Sequence, residues 1–303
     1  MIRPAAFDYN PETAVTNSMM QRPGIVGAPA HNDLARAEFQ HMVNALQSEG
    51  VRVCVLDDTP QPRKPDAIFP NNWVSFHADG TVVLYPMNAE NRRWERRQDV
   101  VDSAAEQAGF KISRVVDLSA HELEGRFLEG TGSLVLDHVN RMAYASLSPR
   151  THPAVVEEWS REMGYTPVVF SAFDRAGAPV YHTNVLLCVG ERLVVVGTES
   201  IAPADRGPVL ERLRASGREV VELGLDEVEN FAGNMLELAS WDEALGDYRV
   251  LVMSASARAA LKPQSYARLS ACTDTVLAVP VPTIEKLSGG SVRCMLAEIF
   301  VPA

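Results

Sequence analysis

One pattern recurs along the chain: a small or amide residue, a short apolar strand, a turn, a second apolar strand, an amphipathic helix and a closing apolar strand. Asn72-Trp73-Val74-Ser75-Phe76 turns at Asp79-Gly80 and returns as Thr81-Val82-Val83-Leu84-Tyr85, the signature of a hairpin. A charged, helix-permissive stretch from Arg93 to Gly109 and a strand from Lys111 to Leu118 complete that unit. The order repeats from Gly132, through a helix at Pro153 to Met163 and a strand at Pro167 to Phe170. It repeats again from Asn184, through Ala204 to Ser216 and Val220 to Leu223, and from Asn234 to a strand at Thr275 to Val281. A weaker copy opens at Asn17-Ser18-Met19-Met20, with a helix over Asp33 to Ser48 and a strand over Val51 to Leu56. Cys294 to Ile299 reads as the opening strand of a last copy. The period is about fifty residues, within the range of repeat architectures.

Units this short cannot bury their own apolar faces, so about five of them predict a closed ring of ββαβ modules, which also removes free sheet edges. The competing fold is a doubly wound sheet, but strict strand–helix alternation is incompatible with the hairpins. The chain has no Pro- or Ser-rich linker, and residues 1–303 read as one domain. In such a ring the module starts crowd the axis. Those starts are Asn72, Glu129 with Gly132, His182 with Asn184, Asn234 and Cys294, a polar and reactive set where a purely structural repeat would carry small apolar residues.

Composition narrows the function. The formal net charge of -11 disfavours nucleic acid, whose phosphates need a basic face. The four cysteines, Cys54, Cys188, Cys272 and Cys294, form no C-x-x-C pair and no zinc spacing with histidine. A chain of this size needs no disulfide framework, which fits a reducing, cytoplasmic compartment. Met1 to Asn10 lacks a signal-peptide apolar core, and the longest apolar runs are strand-length, so a soluble, unprocessed protein is expected.

Cys294 follows Leu287-Ser288-Gly289-Gly290-Ser291-Val292-Arg293. A lone cysteine on an apolar strand ordinarily packs as a small hydrophobe. The two glycines permit close backbone approach, and the neighbouring Arg293 would favour a thiolate. His182, in Val180-Tyr181-His182-Thr183-Asn184, reads either as a satisfied buried histidine or as the acid/base that a cysteine nucleophile needs. Glu129, between Leu128 and Gly130, reads either as a turn residue or as the carboxylate that orients the histidine.

Four stretches then carry a resemblance to a known group: Pro65-Asp66-Ala67-Ile68-Phe69-Pro70-Asn71-Asn72, Leu128-Glu129-Gly130-Thr131-Gly132, Tyr181-His182-Thr183-Asn184, and Gly289-Gly290-Ser291-Val292-Arg293-Cys294. In content and order they resemble the guanidino-group-modifying superfamily of arginine deiminases, dimethylarginine hydrolases, amidinotransferases and succinylarginine dihydrolase, with the citrulline-utilisation type nearest. Leu147-Ser148-Pro149-Arg150-Thr151 is similar to the superfamily's loop for the substrate carboxylate. The resemblance implies a fivefold pseudo-symmetric α/β propeller, the pentein fold. It implies that Cys294 attacks the central carbon to form a covalent intermediate. His182 would protonate the leaving nitrogen and then activate water, and Glu129 would orient His182 or bind the substrate's nitrogens. Asp66, Asn72 and Asn184 fall on substrate-binding positions, and Arg150 with Arg92 would hold the α-carboxylate. Read alone, Arg92 lies in a charged stretch, Asn91 to Arg97, that looks like a surface helix start. The resemblance implies no cofactor and no metal. The partner it implies is a small guanidino or ureido amino acid, and the chain could form a homo-oligomer.

The chain departs from arginine deiminases at Asn72 and Asn184, where those enzymes carry aspartates that grip a cationic guanidinium. A guanidinium offers only N–H donors and a charge, which suits carboxylates. A neutral ureido group offers donors and an acceptor, which an amide can meet. The amides therefore predict a substrate less cationic than arginine, such as citrulline or an N-acylated relative, with arginine and methylarginine left open. Two other readings compete with hydrolysis: an amidinotransferase that passes the group to an amine, and a propeller that binds a partner without catalysis.

Overall fold

The structure, a computed structural model, describes residues 1–24, 28–242 and 246–300. The last three residues of the expected 1–303 domain therefore lie outside the described residues. β1 (Ile2–Arg3) pairs in parallel with β2 (Leu56–Asp57), and α1 (Ala28–Ser48) lies between them in sequence. β3 (Val74–Phe76), β4 (Thr81–Leu84) and β5 (Arg114–Asp117) form the second sheet, with α2 (Gln98–Ala108) joining β4 to β5. β6 (Leu134–Asp137), β7 (Met142–Leu147) and β8 (Thr166–Ser171) form the third, with α3 (Pro153–Met163) before β8. β9 (Leu187–Val189), β10 (Leu193–Gly197) and β11 (Glu219–Leu223) form the fourth, with α4 (Pro203–Ala215). β12 (Leu236–Asp242), β13 (Gly246–Ser254) and β14 (Thr275–Val279) form the fifth, with α5 (Pro263–Ser270).

Each three-stranded sheet has one order. The first two strands are antiparallel and the third is parallel to the second. The chain dictates this, because a tight turn can join only antiparallel strands whereas a parallel return needs a crossover of a dozen residues or so. Five separate sheets exclude the doubly wound alternative, and the fold is the α/β propeller expected from the repeat. First strands of neighbouring sheets touch, β6 against β9 and β9 against β12, which places them innermost. The apolar core follows the ring instead of filling its centre. Tyr85, Val155 and Trp159 pack in one cluster and Phe39, Leu46 and Ile284 in another, between sheets and crossover helices.

The module starts differ from the sequence expectation. They are helical turns, not strand residues: Pro70–Asn72, Gly130–Ser133, Thr183–Val185 and Val292–Met295. Asn234 closes a similar turn, its N–H donating to the Phe231 carbonyl at 2.8 Å. At the crowded axis these residues have no ladder partner, and buried N–H groups must still be satisfied. The turns do this locally, with Asn72 N bonded to Phe69 O and Leu186 N to Thr183 O. The turns also pack on one another, Gly130–Ser133 against both Pro70–Asn72 and Thr183–Val185.

The weak first copy also needs correction. Asn17 to Met20 is turn, and only the end of Val51 to Leu56 enters a ladder. Cys294 to Ile299 is no strand: Cys294 lies in the helical turn, and residues 296–300 carry no regular structure. The strand that completes the first sheet is instead Ile2–Arg3, at the other end of the chain.

Candidate active site

Three of the five axial turns and the segment after Asn10 converge on one small cavity. Asp66, Asn72, Arg92, Arg150, His182 and Cys294 line it, with Thr13, Asn17, Phe69, Tyr181, Ser288 and Gly290. Its volume is about 20 Å³, room for roughly one water molecule. Thr13 and Asn17 roof it. The first-copy "strand" is thus part of this roof: Asn17 donates from Nδ2 to the Ser288 carbonyl at 3.0 Å.

Cys294 is buried at the axis. Two side-chain amides donate toward its Sγ, Asn234 Nδ2 at 3.4 Å and Asn184 Nδ2 at 3.7 Å. Gly289, which ends the preceding helical turn, has φ +63, and a Cβ there would stand 2.6 Å from Asn17 Nδ2. Glycine is therefore required for both the bend and the roof contact. Arg293 does not face the thiol as its sequence position suggested. Its guanidinium bonds the Leu296 carbonyl at 2.9 Å and Glu298 at 3.0 Å. It lines a separate, larger cavity with Cys188 and Phe300.

Behind the cavity wall, His182 Nε2 meets Glu129 Oε2 at 2.8 Å. Burial alone would raise the Glu129 carboxyl, but Arg150, His182 and Arg92 outweigh it and hold the group well below the usual range. An ionised carboxylate only accepts, so Nε2 of His182 carries the proton and Nδ1 keeps the lone pair. A Cβ on Gly132 would lie 2.7 Å from that Nδ1 and 2.6 Å from Asn72 Nδ2, so this glycine leaves room for both side chains. Burial pushes the imidazole down to about 4. Glu129 opposes the shift, and Arg150 and Arg92 reinforce it. His182 is therefore neutral at pH 7. In proton NMR the His182 ring, assigned by difference against His182→Ala among the seven histidines, should not titrate between about pH 5.5 and 8. A midpoint near the ordinary histidine value would contradict this electrostatic picture.

Arg92 is buried, not a surface residue. Its Nε and Nη2 form a paired contact with Glu95, both at 2.9 Å, and its Nη1 donates to Asn72 Oδ1 at 2.7 Å. The i,i+3 spacing of Arg92 and Glu95 was readable in sequence; the inward turn of the helix was not. Arg150 donates from Nη2 to the Thr13 carbonyl at 2.7 Å and from Nε to Thr16 Oγ1 at 2.9 Å. Its Nη1 lies 3.4 Å from Glu129, and its guanidinium stacks 5.1 Å over the Tyr181 ring. Asp66, which lines the cavity, uses Oδ2 for Asn10 and Thr13, while its buried Oδ1 has no partner among the described residues.

All eight residues singled out from sequence are thus brought together, six of them lining the cavity, Asn184 against the Cys294 sulfur and Glu129 behind His182. Sequence reasoning named Asn234 only as a module start and missed its contact with the thiol. It also missed Thr13, Thr16 and Tyr181, although Tyr181 stands inside a quoted motif. Among the described residues no group of three or more metal-ligating side chains is assembled. No described helix is long and apolar enough to cross a membrane.

A family model for N,N dimethylarginine dimethylhydrolase, eukaryotic, matches residues 3–301. Among curated proteins none matches the chain. The chain is similar to the N-terminal domain of ArgZ, an arginine dihydrolase from the ornithine–ammonia cycle in cyanobacteria. That match has 16% identity and a TM-score of 0.71 and covers 97% of this chain and 95% of that one. Unliganded AgrE shares 19% identity at a TM-score of 0.72, over 97% of this chain and 38% of its own. A dimethylarginine dimethylaminohydrolase carrying a 4-chloro-2-hydroxymethylpyridine adduct shares 15% at 0.60, over 97% and 96%. The chain spans 40% of the length of apo ArgZ. At these identities the structural likeness is one of fold.

Proposed function

This chain belongs to the N,N dimethylarginine dimethylhydrolase family, a family of hydrolases acting on guanidino C–N bonds, and we propose that it cleaves a guanidino or ureido amino acid through Cys294. The observation that carries the reading is one buried cavity walled by Cys294 and by a neutral His182 backed with ionised Glu129. Residues 1–303 act as one catalytic domain in this reading. Family membership favours hydrolysis over transfer to an amine and over partner binding without chemistry.

Each step has a residue. His182 Nδ1 takes the thiol proton as substrate binds, and the Cys294 Sγ–carbon bond forms. The tetrahedral adduct collapses, the carbon–nitrogen bond breaks, and His182 returns the proton to the leaving amine or ammonia. His182 then removes a proton from water, whose oxygen attacks the covalent intermediate. The Sγ–carbon bond breaks and the thiol is restored. Asp66 Oδ1, lacking a partner, accepts an N–H of the substrate. The cavity is too small for an amino acid, so binding must open the roof. A substrate carboxylate on Arg150 would replace the Thr13 carbonyl and Thr16 hydroxyl, and a bidentate pair there fixes register as well as charge.

Asn72 narrows the substrate. Its Oδ1 accepts from the cationic Arg92 and one Nδ2 hydrogen goes to Asn71, which leaves the second Nδ2 hydrogen as a donor for the ligand. A donor suits the ureido oxygen of citrulline, and mispairing a buried polar group costs about 1–3 kcal/mol, roughly ten- to hundredfold in selectivity. Steady-state release of ammonia or amine should give a kcat/KM for citrulline at least about tenfold above that for arginine, with Asn72→Asp narrowing or reversing the ratio. A wide preference for arginine or dimethylarginine in the unmodified protein would sink the amide argument and leave the rest of the mechanism standing.

A further inference from the structure

We propose that Asn234, which does not touch the cavity, is a positioning residue that holds the nucleophile's sulfur in place and donates to the thiolate formed when His182 takes its proton. The inference rests on Cys294 being the nucleophile. The orientation of the Asn234 amide is fixed by its surroundings. The backbone N–H of Arg293 donates to Oδ1 at 3.0 Å, so that atom must be the oxygen. Nδ2 is then left to donate to the Asn184 carbonyl at 3.0 Å and toward Cys294 Sγ at 3.4 Å. One side chain thus grips the turn that carries Cys294 and aims a donor at its sulfur. The Asn184 amide faces the sulfur with both ends, Nδ2 at 3.7 Å as donor and Oδ1 at 3.8 Å as acceptor for the thiol, whereas Asn234 only donates there. Both amides stand at module starts, so the pseudo-symmetry of the ring places two neutral amides against one thiol.

The role matters because no cation is spent on the sulfur from its own turn: Arg293 is paired with Glu298. The charged and titratable groups facing Cys294 across the cavity are Asp66, Arg92, Arg150, Tyr181 and His182, with Glu129 behind the histidine. Arg92 and Arg150 are engaged with carboxylates. Hydrogen bonding to the charged form favours it, so a direct amide donor favours the thiolate where the arginines are already committed.

The test is the pH dependence of Cys294 alkylation by iodoacetamide, read on the Cys294 peptide by mass spectrometry in the full chain. Asn234→Asp replaces the donor with an acceptor and should move the midpoint up by at least about one pH unit, with kcat down about tenfold or more. KM should change by less than about threefold, because the substrate does not reach this residue. Asn234→Ala should shift the midpoint in the same direction by less. A purely structural role would lower the thermal midpoint and leave the alkylation midpoint where it was, and that result overturns the proposal. If the aspartate variant does not fold, Asn234→Ser keeps a small hydroxyl and takes the same measurement, with an unchanged midpoint again the overturning result. A protein inactive on every guanidino and ureido compound that still shows the shift would refute the substrate reading and leave the Asn234 assignment intact.

Discussion

Cys294→Ala should lower turnover by at least about 10⁴-fold while leaving the fold intact, because in the proposed mechanism it removes the covalent nucleophile and leaves only the residual help of binding and polar groups. The change is small in volume, and the groups it strands are two neutral amides that keep other partners. Asn184 Nδ2 still reaches the Thr131 carbonyl at 3.2 Å, and Asn234 Nδ2 still reaches the Asn184 carbonyl. A stability loss of about 1–2 kcal/mol is expected, readable as a modest fall in thermal midpoint. No other cysteine can substitute. Among the described residues Cys54, Cys188 and Cys272 all lie outside the cavity, and burial pushes the Cys188 thiol up to about 12. Intact-protein mass spectrometry gives the second readout: a substrate-derived adduct on the unmodified chain, absent in Cys294→Ala. Activity above about one hundredth of the starting value would place the nucleophile elsewhere.

The parts of this arrangement that sequence could show are those written in local pattern. α3 begins at Pro153, where a missing N–H costs nothing, and ends before Gly164, so its bounds coincide with the reading from periodicity. The hairpins of the second to fifth sheets announced themselves through turn residues and paired apolar runs. The first sheet did not. Ile2–Arg3 is two residues long, and its partner Leu56–Asp57 lies 54 positions away, so no periodicity marks the pair. The helical turns at the axis failed for a related reason: they exist to satisfy backbone groups at a crowded centre, a tertiary demand invisible in a strand-like run such as Asn184 to Cys188.

The site divides the same way. Cys294, His182 and Glu129 could be placed because the repeat puts them at corresponding points of different modules. Arg92 looked like surface because its partners, the Asn72 side chain and the Phe69 carbonyl, lie 20 and 23 positions away in the chain. Arg150 bonds Thr13, 137 positions away, and no local signal predicts that contact. Arg293 shows the opposite error. Adjacency in sequence suggested support for the thiol, yet neighbours on a tight helical turn project in different directions, and its charge goes to Glu298.

The second large effect is expected at Glu129, which is fully buried with Arg150 at 3.4 Å, Arg92 at 3.8 Å and His182 at 2.8 Å. Removing one member of a buried charge cluster leaves the others uncompensated, a loss of about 3–5 kcal/mol. Glu129→Ala should therefore unfold at markedly lower denaturant, and Glu129→Gln, which keeps the shape and an acceptor, should lose less. Turnover should fall at least about 10²-fold in both, because His182 loses its orienting partner and, with the two arginines no longer offset, becomes a weaker base. The pH dependence separates charge from shape. The folded-state pKa of Glu129 lies below its ordinary value of 4.5, so its ionisation stabilises the fold at pH above that value and the stabilisation is lost as pH falls toward the folded pKa. Stability measured from pH 7 down to about pH 3 should consequently fall less steeply below about pH 4.5 in Glu129→Gln than in the unmodified protein. Parallel acid limbs in the two proteins would mean that the carboxylate is not held ionised by Arg150, His182 and Arg92. The neutral, Nε2-protonated His182 on which the proposed chemistry depends would then lose its basis.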